Sequence, residues 1–177
     1  MRENEEEADD QESPEDESPT RAVTIRDNSG ENYRLEWWAA DYGWSYWLFS
    51  KSGFKIGYAH TQLREDVLFL ADLRINDEVP TARSGLRMFL ERIGWARRRT
   101  LNYQRRGLAK QILVNLEAVA VERGYREIIG GIVTRDIASW PGLPDWYRRR
   151  GYSVYPKPAD STDIGELAIR KTLIAAA

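Results

Sequence analysis

The chain has 177 residues with 26 basic and 28 acidic side chains, no cysteine and one histidine, His60. Lack of cysteine removes disulfides, thiolate nucleophiles and Cys-based zinc sites, and a lone histidine argues against a His-rich metal centre or a Ser-His-Asp triad. No apolar run approaches the ~20 residues of a membrane span, and the acidic start has no apolar stretch of the secretory kind, so a soluble, cytoplasmic, metal-free protein is expected.

The charge is unevenly spread. Residues 1–20 carry ten acids and one base, and the remainder carries 25 bases against 18 acids. With no aromatic and almost nothing apolar, residues 1–20 cannot bury enough surface to offset their ordering entropy, and a disordered acidic tail is expected there. Residues 21–177 have the size of one domain.

Alternation predicts consecutive strands over 23–26, 33–39, 44–50, 54–63 and 67–75, with turns at Asn28-Ser29-Gly30 and Lys51-Ser52-Gly53. In the fourth of these, Phe54, Ile56, Tyr58 and His60 are expected on one face. After Pro80 the period changes. Leu86, Phe89, Leu90 and Ile93 predict a helix over 83–99 carrying six arginines and one acid, Glu91. A second helix is predicted from about 107 to 123, with Leu108, Ile112, Leu113, Leu116, Val119 and Ala120 inward and Gly124 as its stop. A strand over 127–133, a short helix over 145–150 ended by Gly151, a strand from Tyr152 and a last strand over 166–173 complete the chain.

The stretch Asn102-Tyr103-Gln104-Arg105-Arg106-Gly107-Leu108-Ala109-Lys110 lies where a loop enters the second helix. The first N–H groups of a helix have no intrahelical partner, and the helix dipole adds positive charge there. A tight turn at Gly107 aims such amides at one spot, which suits a phosphate or pyrophosphate. The spacing fits neither a Walker loop nor a dinucleotide fingerprint.

Gln104-Arg105-Arg106-Gly107-Leu108-Ala109 resembles the Gln/Arg-x-x-Gly-x-Gly/Ala signature of the GNAT superfamily of N-acetyltransferases. Two further segments fit that order. Ala120 to Tyr125 looks like the family's exit from this helix into its fifth strand, and Trp146-Tyr147-Arg148-Arg149-Arg150-Gly151-Tyr152 looks like its Phe-Tyr-x-x-x-Gly-Phe element. The resemblance implies an α/β GNAT acyl-CoA N-acyltransferase fold: a mixed, mostly antiparallel central sheet flanked by helices, here with the Arg-rich helix inserted before the CoA-binding loop.

It also implies roles. Backbone amides from Arg105 to Ala109 would hold the pyrophosphate of acetyl-CoA, the co-substrate, beside Gln104 and Leu108. Arg105, Arg106 and Lys110 would add contacts to CoA phosphates. Pantetheine would run along the end of strand 67–75, near Leu73 and Ile75. Tyr147 matches the tyrosine that commonly protonates the departing thiolate, with a core aromatic as the plain alternative. The attacking amine needs a base, and Asp72, Asp77 and Glu78 are candidates at or near that strand end, with Asp72 and Glu78 preferred over His60.

Three features depart from the family pattern. Residues 27–50 read as strands where the family has two helices walling the acceptor site. About 25 residues separate Ile75 from Tyr103, and the Arg-rich helix 83–99, with Trp95, is expected to replace the missing wall. Trp140 and Leu143 stand where the family often has Asn and Ala. The expected reaction is transfer of acetyl from acetyl-CoA to a primary amine on a small molecule or protein. The competing reading is a non-catalytic GNAT-fold module binding nucleic acid or a protein through its arginines, although no nucleic-acid motif accompanies them. The family often forms dimers, so a homodimer is a further expectation. Four early tryptophans, Trp37, Trp38, Trp44 and Trp47, are expected mostly in the core.

Overall fold

The computed structural model describes residues 19–77, 79–80, 100–157 and 165–173. Strands β1 (Arg21–Arg26), β2 (Asn32–Ala40), β3 (Gly43–Phe49), β4 (Lys55–Arg64) and β5 (Val67–Ile75) pair with their sequence neighbours, all antiparallel. Short turns between alternating strands permit nothing else, since parallel neighbours need a crossover. That crossover comes next. A two-residue ladder joins β6 (Val79–Pro80) to β7 (Thr100–Leu101), and helix α1 (Leu108–Glu122) leads to β8 (Glu127–Ile132), which pairs with β5 in parallel. Helices α2 (Thr134–Ser139) and α3 (Leu143–Arg148) follow, then β9 (Ser153–Pro156) and β10 (Leu167–Thr172). The main sheet has eight strands in the order β1-β2-β3-β4-β5-β8-β10-β9.

The expected face of α1 is the buried one. Leu108, Ile112, Leu113, Leu116, Val119 and Ala120 all face inward and pack against β5 and β1. Each fully buried leucine there contributes about 2 kcal/mol through removal of apolar surface from water. The helix ends in a Schellman arrangement. Gly124, at φ +82°, donates its N–H to the Val121 carbonyl, and Tyr125 donates to the Ala120 carbonyl.

Two bulges decide which residues reach the core. A register shift between Leu48 and Phe49 leaves Ile56 unpaired between Lys55 and Gly57. Ile56 therefore turns into the core with no exposed surface, while Tyr58 and His60 stay half-exposed. This corrects the expectation that Ile56 shares a face with Tyr58 and His60, because an extra residue in one strand reverses the alternation beyond it. The second shift lies between His60 and Thr61, which face Asp72 and Leu70, so Ala71 is the extra residue in β5. Leu68 and Leu70 are buried before it; after it Leu73 and Ile75 pack against the core while Ala71 and Asp72 are exposed.

Of the tryptophans, Trp37 and Trp44 lie in the core and Trp38 and Trp47 are half-buried. Residues 27–50 form strands and turns, as the sequence indicates. The short helix α2 was not expected, and α3 begins two residues earlier than predicted, at Leu143. The inserted helix expected over 83–99 and residues 1–18 lie outside the described residues. Among the described residues no helix is long and apolar enough to cross a membrane, and no group of three or more His, Asp or Glu side chains is arranged to hold a metal.

Candidate active site

The loop before α1 is built by two left-handed residues. Arg105 has φ +59° and Gly107 has φ +82° and ψ +2°. The Asn102 side chain steadies the approach by accepting the Gln104 N–H at 2.7 Å. Gly107 occupies the N-cap position, so no side chain caps the helix, and the first turn holds no acid. The leading N–H groups of α1 are thus left without a side-chain acceptor at the positive end of the helix dipole, the arrangement an anion satisfies. A Cβ on Gly107 would collide with the side-chain amide of Asn28, in the β1–β2 turn. Leu108 is buried, Ala109 half-buried, and Gln104, Arg105 and Lys110 exposed.

Arg106 behaves differently from its neighbours. Its guanidinium turns toward β1 and β2, donating to Glu31 Oε2 at 3.1 Å and to the Tyr33 hydroxyl at 3.0 Å, with Asp27 Oδ2 at 3.6 Å. The Arg106 backbone carbonyl accepts the Asn28 N–H at 2.9 Å. Asp27 is itself saturated. Its Oδ1 accepts from the Ser29 N–H, the Ser29 hydroxyl and the Glu31 N–H at 2.7 to 2.9 Å. Burial opposes ionisation of Asp27, but these hydrogen bonds outweigh it and hold the carboxyl at about 2, down from 3.8. A depressed pKa stabilises the fold above the unfolded value, and that stability is lost as pH falls through the folded value. With the Asp27 side chain 1% exposed, the contribution is about 2 kcal/mol. In urea titrations the gap in stability between the natural protein and Asp27→Asn should be full at pH above 3.8 and shrink as pH falls toward 2. A gap that does not change over that range would remove Asp27 from this role.

The second part of the site is a split in the sheet. Pairing between β5 and β8 runs from Val67 opposite Glu127 to Leu70 opposite Gly130 and then stops, although β5 continues to Ile75 and β8 to Ile132. Asn76 donates to the Ile56 carbonyl, so by the alternation of antiparallel bonding Leu73 and Ile75 turn their backbone N–H and C=O away from β4 and into the split. The bulge at Ala71 coincides with the point of divergence.

Tyr147 on α3 is 7% exposed. It is gripped edge-on by Trp146 and Tyr152, at 4.9 and 5.5 Å between ring centres. Burial first, then the carboxylates of Asp136 and Asp72, push its phenol pKa well above the usual value, against the opposing charge of Arg150. The phenol is therefore a proton carrier throughout the physiological range.

Asp72 lies at the bulge, opposite His60, and accepts the Tyr58 hydroxyl at 2.9 Å. The rings of Trp47, Tyr58 and His60 pack together at 5.0 to 5.6 Å, and Lys55 Nζ sits 3.5 Å above the Trp47 ring. Burial pushes the His60 pKa down, opposed by Asp72, and its Nδ1 lies 3.0 Å from the Ser45 hydroxyl. Glu78 lies outside the described residues. Sequence reasoning missed Asp27, Glu31 and Tyr33 as partners of the loop. The turn signal at Asn28-Ser29-Gly30 placed the hairpin but said nothing of what it touches. Tyr58 was missed as well, although its alternation with His60 places it on the same face.

No protein-family model matches the sequence, and no curated protein matches it. Solved structures do. One, described as an acyl-CoA N-acyltransferase of Klebsiella pneumoniae, superposes with a TM-score of 0.51 at 16% identity, over 75% of this chain and 73% of that one. A GNAT-family acetyltransferase of Staphylococcus aureus superposes with a TM-score of 0.50 at 10% identity, over 75% and 68%. With the split between β5 and β8 and the helix that crosses between them, these likenesses establish that the chain has the fold of the GNAT N-acetyltransferases.

Proposed function

We propose that this protein transfers an acetyl group from acetyl-CoA to a primary amine by direct attack. One observation carries the reading: the uncapped start of α1, entered through the left-handed Gly107, belongs to the same crossover whose strands β5 and β8 part after Leu70. A pyrophosphate at the first and a thioester in the second are chemically suited to those places. Similarity in fold to the Klebsiella and Staphylococcus proteins, whose names describe acyl and acetyl transfer, supports the same assignment.

In this reading the amides from Arg105 to Ala109 hold the pyrophosphate, with Gln104 and Leu108 shaping the loop and Arg105 and Lys110 adding charge. Pantetheine hydrogen-bonds to Leu73 and Ile75 as a further strand would. An outward N–H near the bulge polarises the thioester carbonyl, as preorganised donors stabilise a tetrahedral oxyanion. Asp72 takes the proton of the incoming amine, with Glu78 the other carboxylate in this role, since an ordinary alkylammonium at about 10.4 is no nucleophile near neutral pH. Tyr147 hydrogen-bonds to the departing sulfur. Residues 21–177 form the catalytic domain and residues 1–20 an acidic tail.

The test is release of free thiol from acetyl-CoA across a panel of amines: polyamines, aminoglycosides, lysine peptides and peptide N-termini. Turnover with one amine class and none without amine is the expected result. Tight CoA binding with no turnover on any amine would move the assignment to a binding module.

A further inference from the structure

The β1–β2 turn puts two carboxylates, Asp27 and Glu31, beside the loop expected to receive the pyrophosphate. For a site that binds a polyanion, acids at that distance are unfavourable on charge alone. Their contacts explain their presence. Arg106 Nη1 reaches Glu31 Oε2, the Tyr33 hydroxyl and Asp27 Oδ2 from one position, and the Tyr33 hydroxyl lies 2.8 Å from Glu31 Oε2 and 3.2 Å from Asp27 Oδ2. Tyr103, at the head of the loop, meets Tyr33 edge-on at 6.0 Å and lies beneath the Arg106 guanidinium at 5.1 Å. Arg106 is therefore not a free cation for a phosphate; it is tied to a part-buried polar group on the neighbouring hairpin.

The same hairpin orients the backbone. The Arg106 carbonyl accepts the Asn28 N–H at 2.9 Å. In a planar trans peptide the carbonyl and the following N–H point in opposite directions. With the carbonyl aimed at Asn28, the Gly107 N–H must point away from the hairpin, toward the open side of the loop. The Asn28 side chain also fills the space that a Cβ on Gly107 would need, so the hairpin packs closely on this peptide.

We propose that the β1–β2 turn is a positioning element for the anion loop: Asn28 and the Glu31–Arg106–Tyr33–Asp27 group hold the 106–107 peptide with its N–H outward, ready for the CoA pyrophosphate. Asp27, Glu31, Tyr33 and Arg106 are positioning residues, acting through the loop backbone. The inference rests on the acetyl-CoA reading above and adds that the N-terminal hairpin sets cofactor affinity. Preorganising the amides spares the cofactor the cost of ordering them on binding.

Charge and positioning predict opposite signs for one substitution. Glu31→Ala removes a negative charge near a polyanion, so charge alone would tighten CoA binding. Positioning predicts weaker binding, by about tenfold in Kd, measured by calorimetry with CoA on the full chain. Glu31→Gln makes the same charge change but keeps an acceptor for Arg106, and its Kd should fall between those of the natural protein and Glu31→Ala. Hydrogen exchange at Gly107 in the unliganded protein should be faster in Glu31→Ala. If Glu31→Ala does not fold, Tyr33→Phe removes the shared hydroxyl without changing charge and should weaken CoA binding in the same direction. CoA binding as tight as in the natural protein, or tighter, in whichever variant folds would overturn the inference alone. Failure of the natural protein to bind CoA would overturn the acetyl-CoA reading and this inference with it.

Discussion

Replacing Tyr147 with phenylalanine is expected to lower kcat for acetyl transfer by about 10²-fold, the scale on which a single positioned donor contributes to catalysis. The substitution removes one oxygen from a ring that is already enclosed by Trp146 and Tyr152, so the fold should tolerate it and CoA affinity should stay within about twofold. The raised pKa sharpens what the hydroxyl does. A phenol that holds its proton this firmly gives it up unfavourably to an alkylthiolate, the weaker base of the two. Its main contribution is then the hydrogen bond to sulfur as negative charge develops there. Because Tyr147 does not titrate near neutrality, the pH–rate profiles of the two proteins should have the same shape and differ in height. A kcat within twofold of the natural protein would leave Tyr147 as a core aromatic.

The second large effect is expected at Gly107. Gly107→Ala combines two costs: a left-handed conformation at φ +82°, worth roughly 1–2 kcal/mol for a residue with a Cβ, and a collision with the Asn28 side chain. Relieving the collision means moving Asn28, whose N–H fixes the Arg106 carbonyl. Both stability and CoA affinity should fall, the affinity by about tenfold or more. Gly124 supplies the control. It has the same φ, +82°, stands at the other end of α1, and a Cβ there meets nothing within 4 Å. Gly124→Ala should lose only the roughly 1–2 kcal/mol of its left-handed φ in thermal unfolding, and no CoA affinity. Equal affinity losses in both variants would mean that the loop contributes only through general stability.

Local rules read much of the fold correctly. The sequence marks the strand at 67–75 to the residue and α1 within a residue at each end, because both carry strong apolar periodicity and α1 has a glycine stop. The uncapped entry to α1 follows from the same local signals, since it is a contiguous helix start. The side of the sheet reached by Ile56 was not legible. A bulge is a property of two strands paired together, and neither sequence alone marks where the extra residue falls. The contacts of Arg106 were equally hidden, since Glu31 stands 75 residues earlier in the chain. An Arg-Arg-Gly run at a helix start reads as two phosphate ligands, yet tertiary packing gave one of the two side chains to a hairpin.

The five N-terminal strands, the inward face of α1 and its uncapped start follow from the sequence alone, because each depends on residues close together in the chain. That β5 and β8 part after Leu70, that Tyr147 is enclosed by Trp146 and Tyr152, and that the β1–β2 turn grips Arg106 came from the packing of the folded chain. Those features depend on where distant segments meet, and the burial and hydrogen bonds that fix them exist only once the sheet has closed around α1.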